Sequence, residues 1–421
     1  MDPAAHQHLS LELQGLVQGV GFRPHVYRLA TALALNGWVG NTRRGVQLEL
    51  EGPVAQLQQF LQQLQQQPPA RCRIDQLQQH WGPARGDQRP FRIAPPQHSG
   101  AASALISPDL AICAPCLAEL ADPTNRRHGY PFISCTDCGP RYSLLEQLPF
   151  EREHTSLVDF PLCKACQREY SDPSDRRFHA QTISCPACGP RLHWQGEPLP
   201  PAAALEAAAR CLQQGGIVAL QGVGGFQLLA DPAQPEAIAT LRQRKGRPHK
   251  PLALMADSAW LERHGQLLPQ EWQLWLSPSA PIVLVAPQPG AVLAAGISGG
   301  SPWLGVMRPT SGLHQLLLER CGGALIATSA NRSGEPIAAD ARADGPQLAE
   351  LADGVLSHGL RIVNRIDDSV LRWAAGGPLV LRLGRGLAPL ALSDASRGPA
   401  AVALGAQLKG ALALRQHGRI L

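Results

Sequence analysis

Eight cysteines arranged in two copies of one pattern constrain this chain more than any other feature of its sequence. Two C-x-x-C pairs separated by 18 residues occur twice, 50 positions apart, at Cys113, Cys116, Cys135 and Cys138, and at Cys163, Cys166, Cys185 and Cys188. Residues 113–141 and 163–191 share 14 identities in 29 aligned positions. The pattern therefore indicates an internal duplication of one module.

Paired C-x-x-C knuckles are typical of zinc sites. Each pair places two thiolates on one turn, and two pairs complete a tetrahedral four-sulfur site without an open position. We predict two structural Zn²⁺ ions, each supplying about 10 kcal/mol of folding energy to a module with little other core. Pairing within each repeat is the simplest assignment, and exchange of pairs between repeats stays open. His154 and His179 could replace a cysteine, but packing or substrate contact is the favoured interpretation.

Length, composition and charge limit the class of protein. A chain of 421 residues, 44% of them apolar, predicts about two to four domains with packed cores. The net charge of +5 suits an enzyme for anionic substrates and does not require nucleic acid. No run reaches the roughly 18 apolar residues of a membrane span, and no secretory signal pattern is visible. Together with the thiolate pattern, this predicts a reducing, cytoplasmic compartment.

Residues 1–95 follow the β-α-β-β-α-β order of a ferredoxin-like domain, with one additional edge strand. Alternating apolar residues indicate strands, and a 3.6-residue period indicates helices. The predicted elements are a strand at 8–17, a helix at Pro24–Leu35, strands at Gly37–Asn41 and Val46–Leu50, a helix at 53–67, and strands at 72–81 and 90–94.

A mixed α/β domain is predicted at 200–392, after the tandem cysteine modules at 108–195. Helical patterns such as Pro235–Arg244 alternate there with apolar strands, at Ile217–Gln221, Ile282–Val285 and Ala324–Thr328. Residues 398–421 begin another apolar segment, which we interpret as the start of a further, truncated domain.

A glycine-rich turn with the sequence QGVGFR joins the first strand to the first helix. Its glycines allow successive N–H groups to converge, and the helix start adds partial positive charge. Arg23 supplies a planar fork for a phosphoryl group. Asn41, at the end of a neighbouring strand, is a neutral amide that can hold a water in line with the phosphorus. These residues predict a site for phosphoryl hydrolysis.

A second set of polar residues lies in the α/β domain. Ser329 and Asn331 follow a predicted strand, where small polar groups suit a ligand crevice. Basic residues that could face a polyphosphate occur in KGRPHK and RLGRG, at Lys245, Arg247, Lys250, Arg382 and Arg385. None of these segments is a Walker loop or a Rossmann fingerprint, so spacing alone does not predict a nucleotide.

Two families resemble parts of the chain. GLVQGVGFR followed by GWVGN resembles the acylphosphatase signature, which implies that Arg23 binds phosphate and Asn41 orients the attacking water. KGRPHKPLALM, LGVMRPTSGLH, ATSANRSGEP and NRIDDSVLR resemble YrdC-type domains, which form carbamoyl-adenylates from ATP. RPTSGLH departs from the aromatic-containing LPYTPLH expected there, which affects one wall of the pocket. The implied nucleotide-site residues are Lys245, Arg247, Lys250, Ser329, Asn331 and Arg385, with His314 as a further candidate.

The order of these domains resembles the hydrogenase-maturation carbamoyltransferase family, HypF, over nearly the whole chain. The resemblance implies that carbamoyl phosphate is hydrolysed to carbamate, which then attacks MgATP to give carbamoyl-adenylate. It further implies transfer of the carbamoyl group to the C-terminal cysteine of the protein HypE, as a precursor of the cyanide ligands of [NiFe]-hydrogenase. Residues 398–421 resemble the opening of the family's last, transferase domain.

Three other functions compete with this interpretation. An RNA-directed module would fit zinc ribbons and a slightly basic chain, but an aromatic and basic stacking surface is lacking. A tRNA threonylcarbamoyl-adenylate synthase would not need the acylphosphatase signature. A non-catalytic scaffold predicts that substitution of Arg23 leaves carbamoyl-phosphate turnover unchanged.

Overall fold

The computed structural model describes residues 5–291, 293–294, 296–394, 396, 398–405, 410–416 and 418–421. The chain forms two compact units. The first contains Met1–Ser107, Cys135–Asp137 and Leu145–Ile183, and the second contains Pro108–Ser134, Cys138–Leu144 and Ser184–Leu421. Within the described residues, no helix is both long enough and apolar enough to cross a bilayer.

The first unit contains the predicted ferredoxin-like order, which is confirmed. Its elements are β1 (His6–Leu16), α1 (Phe22–Ala32), β2 (Asn36–Asn41), β3 (Val46–Pro53), α2 (Val54–Gln66), β4 (Arg73–Pro83) and β5 (Arg92–Ile93). The strands form one sheet in the order β4-β1-β3-β2-β5. Helix α1 begins two residues before the predicted start, because Pro24 is tolerated within the first turn of a helix.

The core of this unit lies on one face of the sheet, under α1 and α2. Leu9, Leu11 and Leu13 of β1 are at most 1% exposed, whereas Glu12 between them is exposed. This alternation follows from the two-residue period of a strand. Because β1 and β2 both pair antiparallel with β3, they end at the same edge of the sheet, where the predicted anion site lies.

The duplicated cysteine segments repeat one local structure. Each first C-x-x-C pair begins at a helix N-cap, Cys113 for α3 (Ala114–Ala121) and Cys163 for α4 (Lys164–Ser171). Both helices end at an Asp-Pro sequence, where the Asp side chain accepts hydrogen bonds from the residue two positions later. Short 3-10 turns at Tyr142–Leu144, Arg152–His154 and Ser156–Asp159 lie between the two repeats.

The second unit is built on a mixed sheet, as predicted for a mixed α/β domain. Its helices are α5 (Pro201–Gln213), α6 (Pro235–Lys245), α7 (Ser258–His264), α8 (Pro269–Leu276), α9 (Gly312–Arg320) and α10 (Gly345–Leu351). Its strands are β6 (Leu192–Trp194), β7 (Glu197–Leu199), β8 (Val218–Gln221), β9 (Phe226–Ala230), β10 (Ala253–Ala256), β11 (Gly265–Gln266), β12 (Ile282–Pro287), β13 (Leu304–Met307), β14 (Ala324–Ser329), β15 (Gly354–His358), β16 (Val370–Ala374) and β17 (Gly377–Arg382).

These strands follow the order β17-β16-β12-β13-β10-β14-β9-β8-β15-β6-β7, with β11 paired to β12. β10 with β13, β12 with β16, and β15 with β8 are parallel pairs, and the other neighbours are antiparallel. Every residue of β8 and of β13 is buried, as expected for strands covered on both faces. Such strands appear in the sequence as short apolar runs. The run at Ile217–Gln221 predicted β8, whereas β13 was not predicted.

A small separate sheet lies near the end of the described chain. It consists of β18 (Leu392–Ser393), β19 (Ala401–Leu404), β20 (Leu412–Gln416) and β21 (Arg419–Ile420), in the order β18-β21-β20-β19. The segment predicted to open a further domain, 398–421, contains three of these strands. Residues 406–409 and 417 of that segment lie outside the described residues.

Candidate functional site

Both predicted sets of four cysteines come together as four-sulfur clusters. The ligand atoms of Cys113, Cys116, Cys135 and Cys138 all lie within 4.8 Å of one another, and so do those of Cys163, Cys166, Cys185 and Cys188. The cysteine pairs therefore combine within each repeat. This is the simpler of the two predicted assignments, and exchange of pairs between repeats is not observed. Neither His154 nor His179 belongs to a four-sulfur cluster.

The geometry of the clusters fits zinc. Sγ atoms are 3.6 Å apart between Cys116 and Cys138 and 3.7 Å apart between Cys185 and Cys188. A tetrahedral ion with Zn–S bonds of about 2.3 Å requires sulfur atoms about 3.8 Å apart. Backbone N–H groups also point at the sulfurs, from Asp137 to Cys135 at 3.3 Å and from Cys166 to Cys163 at 3.5 Å. Such donors stabilise thiolates.

The cysteines outside the clusters are protonated thiols rather than thiolates. Burial, with a smaller contribution from Asp75, raises the pKa of Cys72 to about 12. Burial likewise raises the pKa of Cys321 to about 11 and raises that of Cys211. These thiols stay protonated at neutral pH, and none of them belongs to a metal-ligand cluster found among the described residues.

The glycine-rich turn after β1 forms a tight loop at the start of α1. Gly19 and Gly21 have φ values of 71° and 74°, in the left-handed region that favours glycine. Gln18 ties this loop to the hairpin after Asn41, since its Nε2 donates to the carbonyl oxygens of Thr42 and Gly45 at 2.8 and 2.7 Å. The loop and the end of β2 are thus held together, as the predicted hydrolytic site requires.

Arg23 and Asn41 converge on one anionic group, the carboxylate of Glu151. Nη1 and Nη2 of Arg23 contact Oε1 and Oε2 at 2.6 and 2.9 Å. Nδ2 of Asn41 donates to Oε1 at 2.8 Å and to the carbonyl oxygen of Phe150 at 3.3 Å. Oδ1 of Asn41 is buried and has no hydrogen-bond partner among the described residues. Arg23 and Asn41 can therefore hold one anion together, and Oδ1 of Asn41 remains available to accept a hydrogen bond from water.

The imidazole of His179 and the phenol ring of Tyr170 also lie near Arg23. Burial, with a smaller effect of Arg23, lowers the pKa of His179 to about 4, so this imidazole is neutral at pH 7. Burial raises the pKa of Tyr170, whose ring lies 4.7 Å from that of His179. These contacts support packing as the role of His179. Sequence patterns predicted neither Tyr170 nor Glu151 in this site, because both lie more than a hundred positions from Arg23.

In the second unit, a pocket opens beside the ends of β9, β12 and β14. Its lining includes three of the predicted nucleotide-site residues, Arg247, Ser329 and Arg385, together with the candidates His314 and Arg382. Nη1 of Arg247 donates to Oγ1 of Thr328 at 3.2 Å. Burial lowers the pKa of Arg247, and the nearby Arg242 and Arg382 add to this. A cation cluster of this kind favours an anionic ligand.

The other predicted residues of this site do not line the pocket within the described chain. Lys245 is 2% exposed, and its Nζ donates to the carbonyl oxygens of Ser329 and Asn331 at 2.5 and 2.7 Å. Lys250 is exposed. Nδ2 of Asn331 donates to the carbonyl oxygens of Arg332 and Glu335. Lys245 and Asn331 thus fix the strand end that carries Ser329.

A hydrogen-bond chain runs along the base of the pocket. Nε of Arg385 donates to Oδ1 of Asp368 at 2.6 Å, and Nε2 of Gln227 donates to Oδ2 at 2.8 Å. Oε1 of Gln227 faces Nε2 of His314 at 3.0 Å, so this nitrogen carries the proton. Nδ1 then accepts from the Ser311 hydroxyl at 2.8 Å. Sequence patterns predicted neither Gln227 nor Asp368, and they also missed Trp303, which adds an aromatic wall.

Burial and ion pairing determine the charges of Asp368 and His314, which lie in this hydrogen-bond network. Burial has the largest single effect on Asp368 and raises its pKa, but Arg385 and Arg382 contribute to a combined opposing effect that lowers the pKa below its ordinary value. Burial lowers the pKa of His314 to about 4. At neutral pH the pocket therefore contains a charged Asp368–Arg385 pair and a neutral His314.

The buried His314 predicts a pH dependence of stability. Between pH 6.5 and about 4, the unfolded histidine binds a proton and the folded one does not. Stability therefore falls as the pH decreases through this window, by at most about 1.4 kcal/mol per pH unit for one histidine. His314→Gln should reduce the fall in the urea midpoint between pH 7 and pH 5. Its control is His6→Gln, since His6 is exposed. An unchanged fall in His314→Gln would contradict the prediction.

Three family models match separate parts of the chain. The acylphosphatase family model matches residues 9–93, and the HypF finger model matches residues 112–145 and 162–195. The Sua5, YciO and YrdC model, described as telomere recombination, matches residues 210–384. The carbamoyltransferase HypF of Synechocystis sp. is 45% identical over 386 residues, which cover 90% of this chain and 50% of that protein. This chain belongs to the HypF family.

Other HypF proteins are similar over nearly all of the chain. HypF2 of Cupriavidus necator is 42% identical over 430 residues, covering 96% of this chain and 53% of that protein. A crystal structure of full-length HypF in the phosphate- and nucleotide-bound form superposes with a TM-score of 0.94 at 38% identity, covering 99% of this chain and 55% of that one. The chain thus spans about half the length of the relatives it matches. The HypF finger match and the sulfur geometry together support zinc binding at both clusters.

Proposed function

We propose that this chain hydrolyses carbamoyl phosphate in its first unit and uses the carbamate with MgATP to form carbamoyl-adenylate in its second unit. The observation that carries the proposal is the convergence of Arg23 and Asn41 on one anionic group. In a free acylphosphatase-type site that group would be the phosphoryl group of the substrate.

The hydrolytic step follows from the atoms of the first unit. The guanidinium fork of Arg23 binds two phosphoryl oxygens, as it binds the two oxygens of Glu151. Oδ1 of Asn41 accepts a hydrogen bond from the attacking water and orients it without adding negative charge. Water attacks phosphorus, the bond from phosphorus to the bridging oxygen breaks, and inorganic phosphate and carbamate are released. Positioning and charge stabilisation supply the acceleration.

The second step uses the pocket that contains Arg247, Ser329 and Arg385. A carbamate oxygen attacks the α-phosphorus of ATP, and pyrophosphate leaves with the magnesium of the substrate. Arg247 and Arg382 offset negative charge on the phosphates, while Asp368 holds Arg385 in place. The HypF structure that contains phosphate and a nucleotide has the two ligand classes that these two steps require.

The same proposal assigns a partner and a compartment. Carbamoyl-adenylate is an activated acyl donor, and we assign its acceptor as the C-terminal cysteine of HypE, in support of hydrogenase maturation. Because its relatives are about twice as long, transfer is proposed for the whole protein rather than for these residues alone. Thiolate zinc sites favour a reducing compartment, and the proposed location of the protein is therefore the cytoplasm.

The main alternative is threonylcarbamoyl-adenylate synthesis, which also uses a YrdC-type domain. That reaction needs neither the acylphosphatase match at residues 9–93 nor the Arg23 and Asn41 site. An RNA-directed role is supported only by features that other functions share, the cysteine modules and a mild positive charge.

The decisive experiment is exchange of labelled pyrophosphate into ATP, with and without carbamoyl phosphate. We expect exchange to require carbamoyl phosphate and to be lost in Arg23→Ala, because carbamate is then not formed. Arg44→Ala is the matched control, since Arg44 is an exposed arginine of the neighbouring hairpin. Exchange that is independent of carbamoyl phosphate and of Arg23 would contradict the coupled reaction. Exchange driven by threonine and bicarbonate would favour the main alternative.

A further inference from the structure

Glu151 occupies the position that the proposed function gives to the phosphoryl group. Its two carboxylate oxygens pair with both terminal nitrogens of Arg23, and one of them also accepts from Asn41. Glu151 lies 58 positions beyond residue 93, the last residue of the acylphosphatase match. The carboxylate of Glu151 therefore comes from outside the segment that matches the acylphosphatase family.

This contact is buried and charged. The side chains of Arg23 and Glu151 are each 8% exposed. A buried charge without a partner is strongly disfavoured, so Arg23 keeps a counter-ion whenever its substrate is absent. An acyl phosphate dianion cannot share one arginine with a buried carboxylate at low cost. Binding of the phosphoryl group therefore requires Glu151 to leave Arg23.

The backbone around Glu151 holds its carboxylate close to the anion loop. The N–H group of Phe150 donates to Oε1 of Gln18 at 2.8 Å. On the other side, Nη1 of Arg152 donates to the carbonyl oxygens of Gln181 and Ile183 at 2.7 and 2.9 Å. A group tethered in this way acts at a high effective concentration, about millimolar or above. Glu151 is thus a strong internal competitor for Arg23.

We propose that Glu151 is a specificity-determining residue of the phosphoryl site, which excludes monoanionic carboxylates and admits only a dianionic phosphoryl group. The proposal rests on the proposed function. A planar monoanion such as acetate, bicarbonate or the product carbamate offers Arg23 one negative charge and two oxygens. Glu151 already provides the same, so the monoanion does not displace it. A phosphoryl dianion has one more charge and a third terminal oxygen, which can reach the N–H groups of the loop. After hydrolysis, Glu151 returns to Arg23 and prevents the carbamate from rebinding.

The test measures binding of inorganic phosphate and of acetate by titration calorimetry. In Glu151→Gln the competing charge is gone, and we expect phosphate to bind about tenfold more tightly or better. We also expect acetate to bind to this variant and not to the wild type. Glu153→Gln is the matched control, because Glu153 lies two residues away and its side chain is 61% exposed. Like the wild type, it should bind phosphate with unchanged affinity and should not bind acetate.

A second variant and a thermal measurement distinguish the loss of the Glu151 charge from misfolding of the variant. Glu151→Asp keeps the charge on a shorter side chain, and its phosphate affinity should lie between those of the wild type and Glu151→Gln. Phosphate should raise the Tm of Glu151→Gln more than that of the wild type, because it replaces the missing counter-ion of Arg23.

The outcomes separate this inference from the proposed function. Phosphate affinity in Glu151→Gln that is unchanged or weaker, or acetate that still fails to bind, overturns the role of Glu151. If that happens while Arg23→Ala still loses both phosphate binding and carbamoyl-phosphate hydrolysis, the proposed function stands alone. If Arg23→Ala binds phosphate and hydrolyses carbamoyl phosphate like the wild type, the proposed function itself fails.

Discussion

Cys116→Ser should lower the bound zinc from two ions to one per chain and cause the largest loss of stability of any substitution considered. Cys116 is fully buried, and its Sγ lies 3.6 Å from that of Cys138. A serine hydroxyl does not provide the thiolate that the ion requires, and zinc binding contributes on the order of 10 kcal/mol to the folding of such modules. Metal analysis by mass spectrometry and a thermal melt measure the two effects.

The matched control for this variant is Cys72→Ser. Cys72 lies outside both clusters, and burial keeps its thiol protonated. This variant should retain both zinc ions and melt within a few degrees of the wild type, as usual for a substitution of similar volume. Two zinc ions remaining in Cys116→Ser, or one lost from Cys72→Ser, would contradict the assignment of the ligands.

Local sequence patterns were sufficient where one short segment determines the structure. The C-x-x-C pairs place two ligands on one turn, so their spacing predicts the clusters before any tertiary structure is known. Alternation in β1 predicts which leucines are buried, because a strand has a two-residue period. Gly19 and Gly21 likewise predict the tight loop that brings Arg23 to the end of β1.

Contacts between distant segments could not be predicted in this way. Glu151 meets Arg23 across 128 positions, and nothing in the sequence LPFEREH indicates an anion site. Lys245 reads as a phosphate ligand from its basic neighbours, yet its ammonium group donates to two carbonyl oxygens. Only the tertiary structure decides whether a basic side chain faces a pocket or satisfies buried carbonyl groups, because both uses need the same donor.

The second large effect should come from Asn41→Ala, which we expect to lower kcat for carbamoyl-phosphate hydrolysis by about 10²-fold while the KM changes by only a few-fold. Asn41 is 1% exposed, and its unpartnered Oδ1 is the acceptor that we assign to the attacking water. Loss of this acceptor misplaces the water, whereas Arg23 still binds the phosphoryl group. Steady-state release of phosphate from carbamoyl phosphate measures both constants.

Two further variants make this assignment specific. Asn36→Ala changes the first residue of the same strand and should keep the wild-type kcat, since Asn36 lies at the opposite end of β2 from Asn41. Asn41→Asp keeps the shape of the side chain but places a second carboxylate within hydrogen-bond distance of Glu151. Like charges at this distance repel, so this variant should lose phosphate affinity as well as rate. If Asn41→Ala raised the KM and left kcat unchanged, Asn41 would be a binding group and the orientation of the water would depend on another residue.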